Sequence, residues 1–354
     1  MAWDLSKTPV TGIRVQACGD CHASNFGGFA SPERRLLFDI NDFDETLQAP
    51  WEWDVKRLAA SIVLASRELG MSDKRCGDAV LAMARSYRKH MREYAYMRAL
   101  EVWYSHMDAE VFVEEAKAAE SKKRWEQAEE KAEHIFPKIA DVINGWTRIV
   151  DHPPLVYHPQ ESDSMRKHVT HMFHEYRETL PEGRRMILDR YHIIDVAWKV
   201  VGVGSVGTRC AIALLMAGEH DPMLLQFKQA FGSVLDPYAG KSPYSNHGER
   251  VVTGQRMLQS ASDVFLGWTR DEEGRDYYFR QLRDMKMKID LENMTKGDWL
   301  EYSRSVAGRW RAHTSGRATQ DDRRIPSKKR HSIRPSRNLR SRMPTNPRAT
   351  MRLS

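Results

Sequence analysis

Between Gly19 and Glu45 the sequence reads GDCHASNFGGFASPERRLLFDINDFDE, and nowhere else do so many carboxylates stand with an imidazole and a carboxamide between short apolar runs. Asp20 and Asn25 are five residues apart in a glycine-rich stretch, and Asp39, Asp42 and Asp44 follow the strand-like run Arg35-Leu36-Leu37-Phe38. Oxygen ligands on a loop at a strand end suit a hard cation such as Mg2+, which takes one or two carboxylates plus substrate phosphates. Taken alone, the same acidic pattern also describes a solvated turn. Cys18 and Cys21 form a CxxC with His22 beside it, the start of a redox pair or half of a zinc site, but no second CxxC completes it.

A second stretch with chemistry in it runs from Asp195 to Ala230. Gly202, Gly204, Ser205 and Gly207 stand between two strand-like runs, and Lys228 ends the next one, Met223 to Lys228. A dinucleotide fingerprint needs its glycines to open a helix. With Thr208 to Met216 read as a strand instead, the glycines form a hairpin tip whose backbone amides can lie over phosphates, within reach of a lysine on the following strand. Taken alone, Lys228 reads equally as a strand lysine pointing to water. Glu249, on a helix read over 248–266, is a candidate to hold that lysine. Arg209 could reach a phosphate or cap the hairpin, and Arg280 and Arg283 read first as surface charges and second as phosphate or substrate contacts.

These residues need elements to hold them. Ile13, Val15 and Ala17 alternate with Arg14 and Gln16, the period of a half-buried strand that would deliver Gly19 and Asp20 to the loop. Ala49-Pro50-Trp51 marks a helix start, and Val55, Leu58, Ala59, Ile62 and Val63 recur at helical spacing until Gly70 closes it. Trp51 and Trp53 read as buried anchors. Ser72 and Asp73 open a second helix to about Met107, with Val80, Met83, Tyr87, Met91 and Tyr94 on one stripe. Residues 109–134 read as an exposed helix of Glu and Lys pairs around Trp125, 161–180 and 183–192 as short helices, and Asp276 to Leu282 as a strand. His171 and His174 have no carboxylate set beside them and read as surface histidines.

The chain has 354 residues, enough for one large or two ordinary domains with a sizeable core. No run approaches the roughly eighteen apolar residues of a membrane helix, and MAWDLSKTPV lacks a basic region followed by an apolar one, so no membrane span and a cytoplasmic location are expected. Four cysteines are too few for a disulfide scaffold. The net charge of +7 is unevenly spread. From Arg309 onward there are 14 Lys and Arg against 2 Asp, a net of +12; subtraction from 55 and 48 leaves 41 basic and 46 acidic residues before it, a net of −5. The body is mildly acidic, and residues 309–354, rich in Arg, Ser and Pro, read as a disordered basic tail. It lacks interleaved aromatics, so no specific nucleic-acid partner is expected and any binding should be salt-sensitive.

GDxxxxN followed, after a short hairpin, by Leu37-Phe38-Asp39-x-x-Asp42 resembles the catalytic segment of the kinase-like small-molecule phosphotransferases, the aminoglycoside and choline kinase type. The glycine hairpin with Lys228 resembles the phosphate-covering hairpin and strand lysine of protein kinases. Carried over residue by residue, the resemblance implies Asp20 as the base that orients the acceptor hydroxyl, and Asn25 and Asp39 as metal ligands supported by Asp42. It implies Gly202, Gly204, Ser205, Gly207 and Lys228 as nucleotide-phosphate contacts, with ATP and Mg2+ as cofactors. Kinases carry the glycine loop and lysine before the catalytic loop, whereas here they follow it by about 180 residues. A circular permutation, which nearby termini permit, would reconcile the two orders.

GDCHASNFG, FDINDFDETLQAPWEWDVKRLAAS, KVVGVGSVGTRC, GQRMLQSASDVFLGW and FRQLRDMK, in that order, also resemble an uncharacterised bacterial family, domain of unknown function 2252, from about Thr11 to Gly308. The resemblance implies a shortened N-terminus and, past Ala312-His313, a tail arising from a reading-frame shift. The expected fold is α+β and kinase-like: a mostly helical lobe over 1–192, a smaller mixed lobe over 193–308 and a cleft between them, followed by the tail 309–354. The expected function is Mg-ATP-dependent phosphoryl transfer to an unidentified acceptor. The alternatives are a metal-dependent phosphoester hydrolase built on His22, Asp20, Asp39, Asp42 and Asp44, and an inactive nucleotide-binding scaffold. Neither the acceptor nor the oligomeric state leaves a motif.

Overall fold

The computed structural model describes residues 1–106, 108, 139–143, 146–160, 162–200, 207–218, 221–282, 287–288, 291 and 294–308. Gly202, Gly204 and Ser205, the helix expected at 109–134 and the basic tail from 309 lie outside the described residues.

After α1 (Ala2–Ser6), β1 (Arg14–Ala17) places Val15 and Ala17 inside and Arg14 outside, as its alternation requires. It pairs antiparallel with β4 (Leu47–Pro50). Between them β2 (Phe26–Ala30) and β3 (Leu36–Ile40) form a hairpin buried along its whole length. Pro50 leads into α2 (Trp51–Glu68), which buries Trp53, Leu58 and Ile62 and carries Glu52 and Asp54 in its first turn. Ser72 caps α3 (Asp73–Tyr96), whose buried face is Cys76, Ala79, Met83 and Tyr87.

The helix expected to run to Met107 is broken. Met97 and Arg98 are extended, and the Glu101 carboxylate accepts from Arg98 N at 2.8 Å, which starts a new short helix, α4 (Ala99–Tyr104). Next come the hairpin β5 (Ala140–Ile143) and β6 (Trp146–Ile149), then β7 (Val156–Tyr157), α5 (Ser162–Glu178) and α6 (Glu182–Leu188). The remainder is β8 (His192–Lys199), β9 (Cys210–Met216), β10 (Pro222–Ala230), α7 (Asp236–Ala239), α8 (His247–Leu258), β11 (Gly267–Arg270), β12 (Asp276–Gln281), β13 (Met287–Lys288) and α9 (Lys296–Gly308).

The chain is thus a mixed α+β protein with several sheets. The largest has six strands in the order β11-β12-β10-β9-β8-β7, antiparallel throughout. The apolar run CAIALLM makes β9 a central strand buried on both faces. Ala211, Ala213 and Leu215 join Phe227, Tyr277 and Phe279 against Val169, Met172 and Tyr176 of α5. Ile212 and Leu214 face the other way, toward Ala140 and Ile149 of the β5–β6 hairpin. The sheet starts at β7 and is covered by α5, both ahead of the expected boundary at residue 193, while β13 pairs with β2 and α9 packs on α3. The helix expected over 248–266 stops at Leu258, because Gln259 Nε2 reaches Ile40 O at 3.0 Å and Ser260 N donates to Asp39 at 3.0 Å, drawing the chain onto the end of β3. Among the described residues no helix is long and apolar enough to cross a membrane.

Candidate functional site

The first half of the site is the loop that follows β1. Gly19 has φ +89°, and a Cβ there would run into the carbonyl of Glu45, so the GD turn and the acidic loop lie backbone to backbone. The Asp54 carboxylate, in the first turn of α2, accepts from Cys18 N at 2.7 Å and Gly19 N at 3.0 Å. Burial pushes the Asp54 carboxyl up to about 6, even against those two donors. Asn25 sits in a single 3-10 turn, and its Nδ2 donates to Asp20 O at 3.1 Å and Asp42 O at 3.0 Å. One amide group therefore staples the loop that carries Asp20 to the acidic loop.

Above this framework stand exposed functional groups. Asp20 is half exposed; its Oδ1 accepts from Arg57 Nε of α2 at 2.8 Å, and its Oδ2 lies 3.6 Å from His22 Nε2. Burial, aided by Arg57 and opposed by Asp20 and Asp42, lowers the His22 imidazole below its ordinary value, so it is neutral at pH 7. Cys18 and Cys21 are buried free thiols pushed well up by burial, the environment of inert cysteines.

The second half is one face of the six-stranded sheet. Register pairs Lys228 with Cys210 on one side and Tyr278 on the other, which puts all three on the same face. That face meets the acidic loop: Lys228 Nζ forms an ion pair with Asp44 Oδ2, and Tyr278 OH donates to Asp44 Oδ1 at 2.8 Å. Burial raises the Asp44 carboxyl and Lys228 with Tyr278 more than reverses it, leaving it below its ordinary value. Lys228, penalised by burial, is held above its ordinary value by Asp44 and then Asp42. Arg250 of α8, fully buried, fixes the junction by donating to Thr46 O at 2.6 Å, Asp44 O at 2.8 Å and Phe231 O at 2.8 Å.

Asp42 joins the halves. It is exposed, its Oδ1 accepts from Asp44 N at 3.2 Å, and its field acts on both His22 and Lys228. The described end of the glycine loop lies beside Lys228: β9 opens at Cys210, opposite Lys228, and Gln229 N donates to Arg209 O at 2.8 Å. Gly207 is the described member of that loop, in a turn with φ +87°.

Asp42, Asp44 and Lys228 are thus brought together, and Asn25 ties the loop of Asp20 to the acidic loop. Asp39 is not among them. It is buried under the hairpin, and its carboxylate accepts from Ile40 N at 2.9 Å and Ser260 N at 3.0 Å. The carboxylate on Lys228 is Asp44, and Glu249 does not take that place. Arg57, Asp54, Arg250 and Tyr278 escape a sequence reading: acidic residues in a first turn look like ordinary helix starters, and Tyr278 acquires meaning only from its register with Lys228. Among the described residues no group of three or more His, Cys, Asp or Glu is arranged to hold a metal.

The whole of residues 1–337 matches the family model described as an uncharacterized protein conserved in bacteria, DUF2252. The chain belongs to this family. No curated protein and no solved structure matches it.

Proposed function

We propose that this DUF2252 protein is a Mg-ATP-dependent phosphotransferase acting on an unidentified acceptor, with a kinase-like site assembled in circularly permuted order. One observation carries the reading: Lys228, next to the glycine loop that opens β9, is ion-paired with Asp44 of the acidic loop, 184 residues away in the chain. A strand lysine oriented by a carboxylate beside a glycine hairpin is the arrangement that pairs with nucleotide phosphates.

The donor set fits Mg2+, which is satisfied by one or two carboxylates when phosphates complete its shell. Exposed Asp42 and half-buried Asp44 would hold it, while Asn25 and Asp39, first read as ligands, fix the shape of the loops through the bonds given above. Mg-ATP would supply the γ-phosphoryl group. Asp20, oriented by Arg57, would accept the hydrogen bond of the acceptor hydroxyl and set its direction. Lys228 would stabilise charge on the phosphates, with Gly207 and its neighbours in the loop giving backbone amides. Positioning and fixed charge supply most of the acceleration in such chemistry.

Thermal unfolding of the full chain with and without Mg-ATP tests this. At a hundred times its dissociation constant the ligand adds about 2.7 kcal/mol, and Lys228→Ala and Asp42→Ala should each abolish the shift. Stabilisation by the metal alone, indifferent to Lys228→Ala, would replace the proposal with a phosphoester hydrolase. A cooperative transition unmoved by either ligand would leave a scaffold.

A further inference from the structure

Arg280 is a charged group on the same face that the proposed chemistry leaves unused. Gln226 lies opposite Arg280 as Lys228 lies opposite Tyr278. Lys228 and Arg280 are therefore diagonal neighbours on adjacent strands, about 7–8 Å apart in the backbone and closer at their side chains. Arg280 Nε donates to Gln226 Oε1 at 3.0 Å, and Gln226 Nε2 donates in turn to Cys210 Sγ at 3.1 Å. The guanidinium lies 5.7 Å from the centroid of the Tyr278 ring. These contacts fix its stem and plane. Its two Nη groups have no hydrogen-bond or ion-pair partner among the described residues.

A guanidinium fixed through Nε with both Nη groups open is shaped to take two oxygens of one phosphoryl group. A fixed lysine within diagonal reach can take the next. The charges that act on them already balance: Asp42 and Asp44 against Lys228 and Arg280. A polyanion entering this neutral cluster therefore needs a cation of its own.

We infer that Arg280 and Lys228 form the receptor for a diphosphoryl group, Arg280 holding one phosphoryl unit through both Nη groups and Lys228 holding its neighbour. This rests on the phosphotransferase reading for its nucleotide and assigns Arg280 as a specificity-determining contact. The ligand class is a diphosphate-bearing molecule; an orthophosphate or a monophosphate ester spans only one of the two cations.

Titration calorimetry of the full chain with Mg2+ and pyrophosphate, orthophosphate or ATP decides it. Pyrophosphate should bind far more tightly than orthophosphate. Arg280→Gln should weaken pyrophosphate and ATP by the same factor, about 10- to 100-fold for a charge-assisted pair of bonds. Arg280→Lys keeps the charge, loses the fork and should still lose several-fold with an unchanged melting temperature, which separates recognition from folding. Failure of pyrophosphate to bind the folded wild type, or equal binding by Arg280→Gln and wild type, overturns the receptor. Pyrophosphate binding that needs Arg280 without any ATP binding keeps the receptor and removes the phosphotransferase. ATP binding that needs Lys228 but not Arg280 does the reverse.

Discussion

Lys228 loses most of its water where it sits, and Asp44, then Asp42, outweigh that burial and hold its ammonium above its ordinary value. Removing one partner of such a pair leaves the other charge desolvated, while removing both leaves a polar but neutral contact. Asp44 keeps a hydrogen bond from Tyr278 and some exposure, so Lys228→Met and Asp44→Asn should each cost about 2–3 kcal/mol, less than a fully buried pair. The double variant should cost clearly less than their sum; urea denaturation of the four proteins measures the coupling, and strict additivity would make the pair incidental. The Asp44 carboxyl titrates below its ordinary 3.8 in the folded chain. The pair's contribution is therefore complete above that value and fades as the pH falls through the folded one. At this scale the sequence was partly readable. Asp20, Asp42 and Lys228 stood out because residue type and spacing are local properties. That Asp44 meets the lysine, while Asp39 turns under its hairpin to Ser260, follows from where β3 ends and how α8 docks, which no local pattern carries.

Among the elements, those whose signal is periodic were readable, and their ends were not. The helices after Pro50 and Ser72 begin where their caps stand, but α3 breaks at Met97 because a carboxylate three residues past Arg98 restarts the backbone bonding, and α8 ends where Asp39 and Ile40 capture Gln259 and Ser260. The β5–β6 hairpin shows what sets such docking. His158 lies between Asp151, 2.8 Å from its Nδ1, and Asp195, 3.0 Å from its Nε2, while Asp195 also accepts from Ile149 N at 2.8 Å and has Arg148 at 3.8 Å. The Asp195 bond, outweighing burial, raises His158 above its ordinary 6.5. Asp195, opposed by burial and favoured by His158 and Ile149 N, stays below its own ordinary value. A histidine raised on folding stabilises fully below its unfolded value of 6.5, and that contribution disappears as the pH climbs through the higher folded value. Hydrogen exchange at the Ile149 amide should therefore quicken above pH 6.5 beyond its intrinsic base catalysis. His158→Gln should remove that extra dependence and cost about 1.5–3 kcal/mol at pH 6. An Ile149 amide protected equally at pH 6 and pH 8.5, after correction for intrinsic rates, would show that the clasp does not hold the hairpin.

Across the whole molecule the chain doubles back in a way that composition and spacing could not show. Residues after the six-stranded sheet return to the start of the fold: β13 adds to β2, and α9 seats Trp299 and Tyr302 among α2 and α3. Strand order and the closing of long loops depend on contacts far apart in sequence, where periodicity is silent. The same return ties stability to the candidate site. Trp299 is fully buried, stacks on Tyr302 with centroids 5.6 Å apart, and donates from Nε1 to Ser66 Oγ at 2.7 Å. The Tyr302 hydroxyl donates to Ala23 O at 2.6 Å, one residue beyond His22. Trp299→Ala should open a cavity, orphan the Ser66 hydroxyl and cost about 3–5 kcal/mol. Tyr302→Phe keeps the ring and should cost about 1 kcal/mol through the lost bond to Ala23 O. Because α9 is covalently downstream of the sheet yet packed on the N-terminal helices, both losses should lower a single transition, seen alike by calorimetry and by far-ultraviolet dichroism. Two lobes divided at residue 193 and folding independently would instead leave a second transition at its wild-type temperature in Trp299→Ala, and that result would remove the coupling between the C-terminal helix and the loop that carries Asp20.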